Sequence, residues 1–203
     1  LIPCSIVSLE MSQVDLMAKI MGIRHSMTSA KIIKGILDNT QKSNLEEAKT
    51  LFLTDDLEIH TEFDLEKIKM LIRKDVYSRK VKVVMIDYLQ KISSDKIYEE
   101  TPLMSKAAKD LSNLAQELGI SIIVLSQINN ESEKGKGAGA GFKGSGTIEA
   151  SADLAIRLKR NKETEDINAE TVPMQIVITK NKFGWDGTIE GFFNLPTGIY
   201  TII

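Results

Sequence analysis

Cysteine is almost absent from this sequence. Cys4 is the single thiol in 203 residues, which excludes an internal disulfide and any metal site built from several thiolates. Long apolar runs are missing as well. The stretch Ile120 to Leu125 is among the longest, far short of the ~20 residues a membrane-spanning helix requires. No basic segment precedes an apolar one at the N-terminus, so nothing reads as a cleavable signal. Nor is charge of one sign in surplus: 26 Lys+Arg against 28 Asp+Glu leave a net charge of −2, which excludes a polybasic nucleic-acid binder and requires any anion site to be local. These absences predict a soluble protein of a reducing, cytoplasmic compartment with no membrane partner. What is present is a hydrophobic fraction of 42%, enough for the core of one α/β domain. Leu1 already stands inside an apparent strand, so the reading expects an N-terminally incomplete domain covering residues 1–203.

The order of elements follows from periodicity. Ile2 to Leu9 suits a buried strand, and Ser12 is placed to cap a helix carrying Val14, Leu16, Met17, Ile20 and Met21, which Gly22 is expected to break. Two further helices are expected over Thr28–Leu37 and Asn44–Phe52, then a short strand over Leu57–His60. Asp64 opens a helix with Leu65, Ile68, Leu71, Ile72 and Val76 on one face. A strand over Lys80–Ile86 leads to Asp87. Thr101-Pro102 marks a helix start, its apolar face running through Leu103, Ala107, Leu111, Leu114 and Leu118 to a stop at Gly119. Ile120–Leu125 is again a buried strand. Asn129 to Gly146, rich in Gly, Lys and Ser, reads as a mobile loop. A helical turn over Thr147–Ser151 and strands over Ala152–Leu158, Met174–Thr179, Thr188–Phe193 and Ile199–Ile203 complete the chain. Strands alternating with helices, then strands alone, predict a mainly parallel sheet with helices on both faces and an antiparallel C-terminal extension.

Three of the buried strands end in a polar side chain: Glu10, Asp87 and Gln127. Ligands of open parallel sheets bind outside the carboxyl ends of the strands, so the three groups are expected to converge on one crevice. An aspartate after a short apolar strand is suited to a hard cation such as Mg²⁺, which prefers carboxylate oxygen.

The segments Ser8-Leu9-Glu10-Met11, Met85-Ile86-Asp87-Tyr88-Leu89-Gln90, Leu125-Ser126-Gln127-Ile128-Asn129 and Ser145-Gly146-Thr147-Ile148-Glu149, with Ala152-Asp153, resemble in order the motifs of DnaB-type replicative DNA helicases. The resemblance implies a RecA-like P-loop NTPase core, ATP and Mg²⁺, a hexameric ring moving on single-stranded DNA, and primase and helicase-loader partners. It makes Glu10 the group that polarises the attacking water, Asp87 the Mg²⁺ ligand and Gln127 the γ-phosphate sensor. It puts Lys19 near the nucleotide. Lys180 and Lys182, within Thr179-Lys180-Asn181-Lys182-Phe183-Gly184, become a basic pair that reaches the ATP of a neighbouring subunit. DNA contacts fall on the 129–146 loop, where Lys134 and Lys136 add charge and Lys143, Gly144 and Gly146 match the phosphate-contacting positions. Phe142 is the loop's sole aromatic, which suits backbone tracking rather than base reading.

The sequence departs from the family in three ways. Lys182 stands where arginine is usual and brings a point charge without the bidentate fork. Lys143 and Gly144 stand where Arg and Glu are more frequent. No G-x-x-x-x-G-K-[ST] phosphate loop occurs in the 203 residues, and tight ATP binding depends on that loop. Two other readings therefore stay open: a RecA/RadA-like recombination ATPase, since Lys180-Asn181-Lys182-Phe183-Gly184 also resembles a RadA-type segment, and a non-catalytic RecA-fold module that binds DNA or a helicase.

Overall fold

Strand-forming runs and amphipathic helices alternate through the first two thirds of the chain, and a computed structural model describes residues 2–52, 57–127, 146–160 and 169–203, with side chains undescribed over 47–52. The chain separates into two compact units, Leu1–Gln13 with Thr50–Ala152, and Val14–Lys49 with Asp153–Ile203.

The first unit is built on a four-stranded parallel sheet in the order β2-β1-β3-β4, formed by β1 (Cys4–Ser8), β2 (Leu57–His60), β3 (Val83–Asp87) and β4 (Ser121–Val124). Successive side chains of a strand point to opposite faces. Val7, Val84 and Ile86 therefore share one face, which is buried together with Leu65, Ile68 and Ile72 of α4 (Leu65–Arg79) and Leu103, Met104, Ala107, Leu111 and Leu114 of α5 (Glu100–Leu118). Both helices cover that face. On the other, Met85, Ile123 and Leu125 are exposed.

The helix signals act as expected, with local shifts. Asp64 caps α4, its Oδ1 accepting from the backbone N–H of Glu66 and Lys67 at 3.0 Å each, and Gly119 ends α5 at φ 61°. α5 begins at Glu100 rather than at Thr101-Pro102. Pro102 sits in the first turn, where a missing N–H leaves no helical bond unmade.

One polar group lies deep in this unit. Asp75 of α4 is 2% exposed; the Ser5 hydroxyl donates to its Oδ2 at 2.6 Å, and His60 Nε2 lies 2.7 Å from the same oxygen. The contacts join central β1, edge β2 and α4, and they satisfy a carboxylate that would be costly to bury alone. Across the outer surface, Lys69 and Lys106 converge on Asp110 at 3.0 and 2.6 Å, and Arg73 meets Glu117 at 2.8 Å. Burial opposes ionisation of Asp110, but the hydrogen bonds and charges of Lys106 and Lys69 outweigh it and hold the carboxyl below its ordinary range.

In the second unit, α1 (Gln13–Arg24, whose first residue belongs to the first unit) runs through Gly22 instead of stopping there. The carbonyl oxygen of Met27 lies 2.6 Å from where a Cβ would be, so the glycine serves close approach within the helix rather than a break. α2 (Ser29–Ile33) is shorter than expected and α3 (Asn39–Phe52) longer at its start. The last four strands, β5 (Leu154–Lys159), β6 (Thr171–Asn181), β7 (Gly187–Asn194) and β8 (Ile199–Ile202), form an antiparallel sheet in sequence order. β6 extends past the expected Met174 to include Pro173. Among the described residues β5 pairs with β6 from Gln175 to Asn181, so Pro173 lies beyond that pairing, toward one end of β6, where proline is best tolerated. Preceding β5 is α6 (Gly146–Ser151), which belongs to the first unit. The expected loop residues Lys134, Lys136, Lys143 and Gly144 lie outside the described residues. Among the described residues no helix is long and apolar enough to cross a membrane.

Replacing Asp75 with Ala should strip Ser5 and His60 of their shared partner and lower the unfolding free energy by on the order of 3 kcal/mol, read from urea midpoints. A depressed carboxyl stabilises the fold above its unfolded pKa, about 4, and that contribution is lost as pH falls through the folded value. Asp110→Asn should accordingly flatten the acid side of a stability-against-pH curve while leaving its shape around neutral pH unchanged.

Candidate functional site

The parallel register decides which side chains meet at the edge of the first unit. Ser8 of β1 stands opposite Asp87 of β3, and Ile86 of β3 opposite Val124 of β4. All three strands point the same way, so Glu10, Asp87 and Gln127 leave the sheet at one carboxyl edge, as the strand-end pattern implies. Backbone hydrogen bonds continue past the strands and tie the exits together. The Leu9 N–H donates to the Asp87 carbonyl at 2.8 Å, the Leu125 N–H to the Ile86 carbonyl at 3.0 Å, and the Leu89 N–H to the Leu125 carbonyl at 2.9 Å. Leu9 and Leu89 are buried, 4% and 1% exposed, which anchors the turns from beneath.

Above this frame the polar groups differ in environment. Glu10 and Gln127 are exposed and Asp87 is half-buried. The Ser8 hydroxyl donates to the Met11 carbonyl at 2.8 Å and fixes the turn that carries Glu10. The 3-10 turn Leu89–Lys91 presents Gln90 toward the exit of β4. Its amide nitrogen donates to Ser126 Oγ at 3.0 Å and to the Gln127 carbonyl at 3.3 Å, while its oxygen accepts from the Gln127 N–H at 3.2 Å. Gln90 thus holds the backbone of Gln127 as one more rung of a sheet would. In the sequence Gln90 falls within a motif but has no evident role of its own. Its spacing of three after Asp87 is the only local signal, and the partner lies 37 residues away.

The remaining candidates belong to the second unit. Lys19 is exposed on α1. Lys180 and Lys182 lie at the end of β6 and in the turn beyond it. The Lys182 ammonium donates to Asp153 Oδ1 at 2.5 Å, and its N–H to the Asp153 carbonyl at 3.0 Å, so the turn is bound to the start of β5. Sequence spacing does not single out Asp153 as a partner for Lys182, because 29 residues separate them. Gly146 is the exposed first residue of α6.

Among the described residues no three His, Cys, Asp or Glu side chains gather into a metal cage. A single half-buried aspartate at a strand end still fits Mg²⁺, which is commonly held by one or two carboxylates together with substrate phosphates.

A parallel sheet with acid and amide groups at its carboxyl edge defines an α/β protein of the ligand-at-strand-end class. Solved structures share this architecture. One of them, an ATPase domain, superposes with a TM-score of 0.84 at 22% identity, covering 100% of this chain and 75% of that one. A DnaB-like replicative helicase, solved in a study of its interactions with primase, gives 0.80 at 22% identity over 98% of this chain and 51% of the other. The chain belongs to the DnaB-like helicase C terminal domain family, whose model matches residues 2–200. It is 30% identical over 199 residues to the replicative DNA helicase DnaB of Treponema pallidum (strain Nichols), a match covering 93% of this chain and 42% of that protein. The chain thus spans less than half the length of that relative.

Gln90→Ala should leave global stability within about 1 kcal/mol, the scale of a few partly exposed hydrogen bonds. Amide exchange at Gln127 should rise clearly above that at Leu125, because the latter keeps its bond to Ile86.

Proposed function

We propose that this chain is part of the motor of a replicative DNA helicase, one RecA-like domain over residues 1–203 that hydrolyses ATP to translocate on single-stranded DNA. The observation that carries the reading is the shared carboxyl edge of β1, β3 and β4, where Glu10, Asp87 and Gln127 emerge together in a member of this family. In this reading Glu10 orients the attacking water as a carboxylate base, a role worth about 10² to 10⁴ in rate for a positioned group. Asp87 holds Mg²⁺, which supplies charge neutralisation on the phosphoryl oxygens. Gln127 contacts the terminal phosphate, and the Gln90 bonds to its backbone pass any shift there into the segment that follows.

Lys19 supports the nucleotide, and Lys180 and Lys182 act on ATP held by the next copy in a hexameric ring. For Lys182 this requires exchanging Asp153 for a phosphate oxygen. The exchange costs little, because an exposed pair contributes about 0–1 kcal/mol. Lys134, Lys136, Lys143, Gly144 and Gly146 contact the DNA backbone. Primase is proposed as a partner from the similar helicase studied with primase, and a helicase loader from the family resemblance alone. Cytoplasmic location follows from the same reading. The reading to be tested against is a non-catalytic RecA-fold module that binds DNA or a helicase.

ATP hydrolysis by the purified full-length protein, with and without single-stranded DNA, separates the two. The motor reading expects DNA-stimulated hydrolysis that Glu10→Gln and Asp87→Ala each reduce by at least about 10²-fold. It also expects mixtures of Glu10→Gln and Lys182→Ala chains to regain activity that neither has alone. DNA binding without hydrolysis, unchanged by Asp87→Ala, would establish the module instead.

A further inference from the structure

Under the proposed function Glu10 orients the attacking water, yet its carboxylate is not held directly. Its side chain is exposed, and among the described residues it makes no hydrogen bond or ion pair. Where the carboxylate stands is therefore set by the backbone of the turn that bears it. That turn is fastened toward both neighbours of β1. Toward β3, the Leu9 N–H donates to the Asp87 carbonyl at 2.8 Å, and within the turn the Ser8 hydroxyl donates to the Met11 carbonyl at 2.8 Å. Toward β2, the side-chain nitrogen of Gln13 donates to the Ile59 carbonyl at 2.9 Å, across 46 residues of sequence. The anchor is itself firm. Ile59 precedes His60, whose Nε2 lies 2.7 Å from Asp75 Oδ2, and the same buried oxygen accepts from Ser5 of β1. The end of β2 is thus pinned to α4 and, through Asp75, to the strand that leads into the Glu10 turn.

We infer that Gln13 is a positioning residue for Glu10, acting on the carboxylate through the turn by clamping the start of α1 to β2. Gln13 is the first residue of α1 and the last of its segment in the first unit, so the clamp sits where the chain leaves the site. Without it the turn keeps its Leu9 and Ser8 bonds on the incoming side and loses a fastening on the outgoing side. A base works within about 2.6–3.2 Å of the group it deprotonates, and a misplacement of about 1 Å costs on the order of 10²-fold in rate, so a loosened turn shows in kcat. The inference rests on the proposed function and deepens it.

ATP hydrolysis by the purified full-length protein with single-stranded DNA, in steady state and in single turnovers, is measured for wild type, Gln13→Met, Glu10→Gln and the double variant. Methionine keeps the length of the exposed side chain and removes its donor. Positioning predicts a kcat about tenfold lower for Gln13→Met with KM for ATP within about twofold. It also predicts no further loss when Gln13→Met is added to Glu10→Gln, because nothing remains to be positioned. Equal losses in both backgrounds give Gln13 a merely structural role and overturn the inference. A raised KM with unchanged kcat assigns Gln13 to nucleotide binding and overturns it too, as do wild-type kinetics in Gln13→Met; these outcomes leave the motor reading standing. Absence of hydrolysis by the wild type, or full activity in Glu10→Gln, overturns both.

Discussion

Everything at the carboxyl edge depends on parallel pairing in register among β1, β3 and β4. Because side chains alternate with a period of two, a slip of one residue along β3 would turn Val84 and Ile86 out of the core and move Asp87 away from Ser8. The apolar face and the polar edge are thus specified by one register. Burial of Val7, Val84 and Ile86 against α4 and α5 enforces it, and the Leu9, Leu89 and Leu125 backbone bonds extend it past the last strand residues. A candidate site assembled from three separate turns gains, through these bonds, the rigidity of a sheet.

A buried carboxylate inside that core bears on the same constraint. Asp75 reaches down from α4 to Ser5 in the central strand β1 and to His60 at the end of edge strand β2. Apolar packing alone permits sliding along a helix axis, whereas a hydrogen-bonded carboxylate with two named partners does not. The outer ion pairs between α4 and α5 are more exposed, and their contribution is correspondingly smaller. Core packing and surface charge therefore act on the α4–α5 pair, and the buried polar bonds fix α4 on the sheet.

The second unit places its candidate residues by different means. Lys180, Lys182, Phe183 and Trp185 stand at the end of an antiparallel hairpin, where a long strand and a tight turn hold side chains away from the sheet. Asp153 and Asn181 set the geometry of that turn. In the proposed assembly the hairpin works in trans, which makes hydrolysis conditional on a neighbour.

The order of elements was legible in the chain. Apolar spacing located α4 and α5, Asp64 and Gly119 marked their ends, and lone polar residues after apolar strands pointed to Glu10, Asp87 and Gln127. These signals are local: capping, periodicity and strand composition act within a few residues of one another. Gly22 was misread because its use is a close approach by Met27 rather than a break. Gln90 with Gln127, Lys182 with Asp153, and Asp75 with Ser5 and His60 were decided only by the tertiary structure. Most of these partners lie tens of residues apart in sequence, and side-chain hydrogen bonds act over about 3 Å, so only folding brings them within range.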